Sequence, residues 1–142
     1  MFGFSTALCL VRWIKCYTGV FRPSFYAGCD FDVQSLNCSV DDYSNFHHSF
    51  PSGHAVVSFC GMTLFSKYFF RTFGVKNEKN QKSLNPKQSF QKRIVSVACL
   101  LPMVYAFFVS ITRVRENNHF PADITAGACI GAGCAIVSFN IW

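Results

Sequence analysis

Residues 112–123 read T-R-V-R-E-N-N-H-F-P-A-D, a short polar crossing between two apolar runs, 94–111 and 123–142. Lipid-facing sequence carries charge reluctantly, so Arg113, His119 and Asp123 gathered at such a junction point to a site rather than to a surface. Pro121 locates the second run, because proline is welcome at the first position of a helix and poor inside one. The last helix is therefore predicted to start near Phe120, with His119 at its N-terminal edge and Asp123 in its first turn. A spacing of four lets the carboxylate reach the imidazole. An aspartate that accepts one ring N–H fixes the tautomer and presents the other nitrogen as a nucleophile, with phosphorus as the expected electrophile. Taken alone, His119 also reads as a capped polar residue at an interface, and Arg115 with Glu116 reads as a solvated local ion pair.

The composition around this crossing is that of a membrane protein. Of 142 residues, 51% are hydrophobic and 14% charged, and 17 are Phe. An average soluble domain is roughly 25% charged, and one domain of this length has too little interior to hide so much apolar surface. The basic residues are placed unevenly. Seven of 13 lie between Arg71 and Arg93, whereas 24–54 has none and carries Asp30, Asp32, Asp41 and Asp42. By the positive-inside rule the 71–93 loop is expected in the cytosol and the 24–50 loop in the lumen or outside the cell. Neither an aromatic-interleaved basic patch nor a nucleic-acid-binding motif is present, so nucleic acid is not expected as a partner. The eight cysteines have no C-x-x-C spacing and no paired histidines, which argues against a zinc site. Six of them sit in apolar runs as small hydrophobes. Cys29 and Cys38 lie in the acidic loop, where a disulfide is permitted, and the spacing leaves bridged and free forms both open. Asn37-Cys38-Ser39 is a glycosylation sequon on the same side.

Working outward, four membrane helices are predicted. The first covers 1–21, carries Arg12 and Lys15, and is expected to end at Arg22-Pro23. The second covers 54–70, with Lys67 snorkelling to the far headgroups. The third covers 94–111 and contains Pro102, and the fourth covers 123–142. Gly127, Gly131 and Gly133 are expected to allow close packing of the fourth helix, and Trp142 to lie in an aromatic belt. The residues between 24 and 50 show no periodicity. This is an all-α, membrane-embedded bundle in a single domain, 1–142. Its connections place three polar clusters on one membrane face: 15–23, 51–54 and 112–123.

Lys15 and Arg22 are seven apart, nearly two turns, so both would share one side of a continuous helix. They also read as two interfacial cations reaching lipid phosphates. In Pro51-Ser52-Gly53-His54, Ser52 can cap a helix, Gly53 lets a ligand approach the backbone, and the first-turn N–H groups attract anions. An ordinary helix start fits that tetrapeptide equally well. His47 and His48 are assigned no role.

The three clusters together, K-x6-R-P, P-S-G-H and [ST]-R-x5-H-x3-D, form a tripartite signature, and the chain resembles the lipid phosphate phosphatases of the type 2 phosphatidic acid phosphatase superfamily. The resemblance runs from residue 15 to 123, with Thr112 where the pattern usually has Ser. It implies that His119 forms a phosphohistidine with Asp123 orienting it. It implies that His54 protonates the leaving alkoxide and then activates water, and that Lys15, Arg22, Ser52, Gly53 and Arg113 bind phosphate. No metal or other cofactor is implied, since the cations stabilise the charge. The expected reaction is dephosphorylation of phosphatidate, or a related lipid phosphate, to diacylglycerol and phosphate at the luminal or extracellular face. The alternatives are a polyprenyl-diphosphate, sphingoid-phosphate or diacylglycerol-pyrophosphate phosphatase, and a non-catalytic lipid-phosphate-binding protein. Membrane members commonly have six spans, so the chain is expected to lack two N-terminal helices of that core.

Overall fold

The computed structural model describes residues 2–35, 37–38, 47–73 and 86–141. The centre of the basic loop, Asp41, Asp42, Ser39 of the sequon and Trp142 lie outside the described residues. The order is α1 (Phe2–Thr18), α2 (Phe25–Gly28), β1 (Phe31–Asp32), β2 (Asn37–Cys38), α3 (Gly53–Phe73), α4 (Pro86–Arg115) and α5 (Pro121–Ile141). The four long helices form the bundle, and α3 packs against each of the other three.

Packing follows the small residues. A Cβ on Gly127 would stand 2.7 Å from the Ser52 carbonyl oxygen, and one on Gly131 would strike the Val56 carbonyl. These two glycines therefore let the α5 backbone lie directly on α3. Gly133 faces open space and takes no part, contrary to the expectation for it. On the other side of α3, Phe59 meets Phe107 of α4 edge-on at 5.0 Å. Ser66 donates to the Cys99 carbonyl at 2.9 Å, in the turn that Pro102 weakens, and α4 runs on through the proline.

The polarity of the bundle is reversed relative to a soluble protein. Ser49, Ser52, His119 and Asp123 are buried, while Leu100, Val104, Phe107 and Phe108 along α4 are more than half exposed. A contiguous apolar exterior of this kind belongs against lipid. Two stretches, Arg93–Arg115 and Pro121–Ile141, are long and apolar enough to cross a bilayer, and only 11% and 17% of them is buried within the protein. They are thus not the core helices of a soluble fold. The 17-residue α1 and the Lys67-bearing α3 fall short of that measure among the described residues.

Three boundaries differ from the sequence reading. Helix α1 stops at Thr18, before Arg22-Pro23, because Gly19 adopts φ 55° and its N–H closes on the Lys15 carbonyl. Helix α4 extends at both ends, so Thr112 and Arg113 belong to its last turns rather than to the crossing. The 24–50 region, expected to be irregular, holds α2 and a two-stranded antiparallel ribbon, Phe31 opposite Cys38 and Asp32 opposite Asn37. Cys29 and Cys38 are disulfide-bonded there. The predicted helix start near Phe120 agrees with α5 beginning at Pro121.

Candidate active site

Helices α1 and α4 end, and α3 and α5 begin, at the same end of the bundle. The loop entering α3 is fastened to the end of α1. Lys15 Nζ donates to the His48 carbonyl at 3.1 Å, and His48 Nδ1 lies 3.0 Å from the Lys15 carbonyl. The Ser49 N–H donates to the Val20 carbonyl at 2.8 Å, and Thr18 Oγ1 to that of Phe50 at 3.2 Å. His48, assigned nothing from sequence, takes φ 75° to make this clasp. Next in the chain, Ser52 begins α3. Its carbonyl accepts the Val56 N–H at 3.1 Å, its Oγ lies 3.5 Å from the Ala55 nitrogen, and its own N–H donates to the Asp123 carbonyl at 3.0 Å.

The crossing from α4 to α5 is a tight reversal. Asn118 N–H reaches the Arg113 carbonyl at 3.1 Å and Asn117 N–H the Val114 carbonyl at 2.9 Å, with Asn117 at φ 54°. This is a Schellman ending, which satisfies the last carbonyls of α4 and turns the chain inward. His119 follows, 4% exposed, and Asp123 sits 3% exposed one turn into α5. Asp123 Oδ2 caps α5 by accepting the Phe120 N–H at 2.9 Å, accepts the Ser49 hydroxyl, and stands 3.7 Å from His119 Nδ1. Ser49 Oγ is itself 3.4 Å from that nitrogen. Since Nδ1 faces Asp123 and Ser49, Nε2 is the ring nitrogen left for a ligand.

A cavity of about 920 Å³ opens in front of His119. Lys15, Arg22, Gly53, His54 and Arg113 join His119 on its wall, so three sequence clusters separated by tens of residues meet in one space. Away from these groups the wall is mostly apolar, with Leu8, Val11, Val57, Met62, Tyr105 and Val109 from α1, α3 and α4, and it also holds Arg12, Ser58 and Asn118. The buried Arg22 Nε has no hydrogen-bond partner, and a Cβ on Gly53 would meet nothing, so a cationic donor and an open backbone both face a space that fits an anion. Burial above all, then the Lys15 and Arg22 charges, push the His119 imidazole below its ordinary range, against the opposing pull of Asp123 and Ser49. These influences favour the neutral form of the His119 ring.

Two expected members stand elsewhere. Ser52 does not line the cavity: its side chain is fully buried, with Oγ 3.5 Å from the Ala55 nitrogen in the first turn of α3. Asp123 lies on the Nδ1 side of His119 and does not line the cavity. Lys15 and Arg22 do share the cavity, but by a different route, because α1 ends between them and Arg22 returns on the loop. Glu116 pairs with Arg113 at 3.0 Å, not with Arg115 as the sequence suggested. Ser49 was missed. It is 70 residues from His119 and 74 from Asp123, so no local spacing marks it; its place two residues before P-S-G-H is its one signal.

The family model described as the PAP2 superfamily matches residues 1–142. Lipid phosphate phosphatase 1 of Arabidopsis thaliana is 32% identical over 83% of the chain and 36% of its own length. A PA-phosphatase related-family protein of Dictyostelium discoideum is 28% identical over 94% of the chain and 44% of its own. A Schizosaccharomyces pombe protein named "probable diacylglycerol pyrophosphate phosphatase 1" is 30% identical over 96% and 50%. The chain thus spans half or less of the length of these relatives. No solved structure gives a significant match.

Proposed function

The chain belongs to the PAP2 superfamily, and from that premise we propose that it is an integral membrane phosphatase that removes phosphate from a lipid phosphate, phosphatidate or a close analogue. The observation that carries this reading is the cavity itself. A buried imidazole and the Lys15, Arg22 and Arg113 cations line one end, and mostly apolar side chains from three helices line the rest. A phosphate head fits the first part while its acyl chains remain against the second.

In the proposed reaction the phosphate is held by Lys15, Arg22 and Arg113 and by the open backbone at Gly53. Guanidinium forks match phosphate oxygens, and phosphoryl transfer needs mainly positioning and charge stabilisation. His119 Nε2 attacks phosphorus, the bond to the lipid oxygen breaks, and that oxygen keeps the electron pair. His54, across the cavity, donates the proton that makes the lipid alcohol. Asp123 stabilises the cation formed on His119. His54 then takes a proton from water, which displaces the phosphoryl group and restores the imidazole. In this reading α1, α3, α4 and α5 all cross the bilayer, and the site opens on the luminal or extracellular face, the side that favours the Cys29–Cys38 disulfide.

The test is phosphate release from phosphatidate by the detergent-solubilised chain in the presence of chelator. Release by wild type with none by His119→Ala or His54→Ala supports the assignment. Binding without release would support a lipid-phosphate-binding role instead.

A further inference from the structure

Arg12 belongs to none of the three signature clusters and has no role in the chemistry proposed above, yet it lines the same cavity. It lies on α1 three residues before Lys15, about 4.5 Å nearer the middle of the helix at 1.5 Å per residue. The cavity is therefore layered. Its outer layer holds Lys15, His54, Arg113 and His119. One turn deeper, α1 contributes Arg12, α3 contributes Val57 and Ser58, and α4 contributes Val109. Below these α1 and α3 contribute the apolar Leu8, Phe4 and Met62, and α4 contributes Tyr105. Ser58 has spent its hydroxyl on its own helix, donating to the His54 carbonyl at 2.7 Å and approaching that of Ala55 at 3.2 Å. Among the described residues no carboxylate lies within ion-pair distance of Arg12. A cation is thus the one uncommitted polar group in the second layer, just where a substrate passes from its reacting phosphate to its chains.

We propose that Arg12 forms a second anion subsite that takes the inner phosphate of a lipid diphosphate while the outer phosphate occupies the His119 cradle. The inference rests on the reading of that cradle as a phosphate site. The two phosphorus atoms of a diphosphate are joined through a single oxygen, a separation within one helical turn, and the long arginine side chain covers the difference. A guanidinium also suits two phosphate oxygens better than the single carbonyl of an ester. In the reaction, His119 Nε2 attacks the outer phosphorus and the bond from that phosphorus to the bridging oxygen breaks. The electron pair stays on this oxygen, which becomes a terminal oxygen of a lipid monophosphate, and the new charge faces Arg12. Water then cleaves the N–P bond to give inorganic phosphate.

The test uses two analogues that cannot be turned over, an alkyl methylenebisphosphonate and an alkyl phosphonate of equal chain length. Their affinities are measured on the full chain in detergent micelles by calorimetry. Wild type is expected to prefer the bisphosphonate by about tenfold or more. Arg12→Gln should bring the two affinities close to parity while leaving that for the monophosphonate within about twofold, and Arg12→Lys should keep part of the preference. A preference that survives in Arg12→Gln overturns the proposal. So does an equal loss for both analogues, which would mark Arg12 as a headgroup anchor or a packing residue. Because neither analogue is hydrolysed, the preference is read independently of turnover. If it is present and Arg12-dependent in a chain that releases no phosphate, the phosphatase reading falls and the second subsite stands.

Discussion

The Asp123 carboxylate holds three groups at once: the Phe120 N–H, the Ser49 hydroxyl and, at 3.7 Å, the His119 ring. Ser49 therefore helps fix where the carboxylate points, and in the proposed mechanism it would act through Asp123. Ser49→Ala removes a hydrogen bond to a buried charge, worth about 1.5–3 kcal/mol. It should lower the melting temperature in detergent and reduce kcat more than it raises KM, with Ser49→Thr restoring part of both. The pH profile follows from the cations around His119. If His119 is the nucleophile, its lowered pKa should keep kcat/KM level as pH falls below about 6.5, the ordinary value, with activity dropping only lower, where the imidazolium accumulates. Arg22→Gln removes one of the charges that depress it, so the acid limb should move to higher pH. Asp123→Asn removes the opposing charge, so the limb should move to lower pH while kcat falls. An unmoved limb in both variants would show that another group governs it. His119 and Asp123 were legible in sequence because one turn of one helix relates them. Ser49 was not, because only the folded bundle brings its loop to α5.

Between elements, the contact that sets the site is α5 on α3. The Ser52 carbonyl, which a Cβ on Gly127 would meet at 2.7 Å, belongs to the residue that opens α3, whose N–H bonds the Asp123 carbonyl. Gly131→Ala presses on the Val56 backbone one turn deeper, where a flexible side chain is not available to yield. Overpacking of this kind costs about 1–3 kcal/mol, so Gly127→Ala and Gly131→Ala should both lower the melting temperature. Gly127→Ala should also reduce kcat. Gly133→Ala, with open space around it, should stay within about 0.5 kcal/mol of wild type. The glycine spacing was readable in sequence, but which glycines face α3 was not, since an apolar helix gives no polar face to orient it. The Lys15–Arg22 pairing was anticipated for the wrong reason. A glycine at φ 55° ends the helix that was to carry both, and Arg22 reaches the cavity from the loop that follows.

At the scale of the whole molecule, the inverted polarity and the paired chain reversals were foreseen from charge distribution and apolar runs, because the bilayer imposes both on composition. The ribbon held by Cys29–Cys38 was not foreseen, since two-residue strands leave no periodic trace. It lies in the connection between α1 and α3 and bears the exposed Asn37. If this face is luminal, the chain expressed in a eukaryotic membrane should carry an endoglycosidase-sensitive glycan that Asn37→Gln removes. Modification of the site face by reagents confined to the cytosol would reverse the orientation. The central claim, that His119 takes up the phosphoryl group of a lipid phosphate, is open to a direct measurement. Solubilised chain is mixed with phosphatidate radiolabelled in its phosphate, stopped in alkali, where a phosphohistidine survives, and mapped by peptide. The account predicts label on the peptide containing His119 in wild type and none in His119→Ala; turnover without label at His119, or equal labelling of the variant, would contradict it.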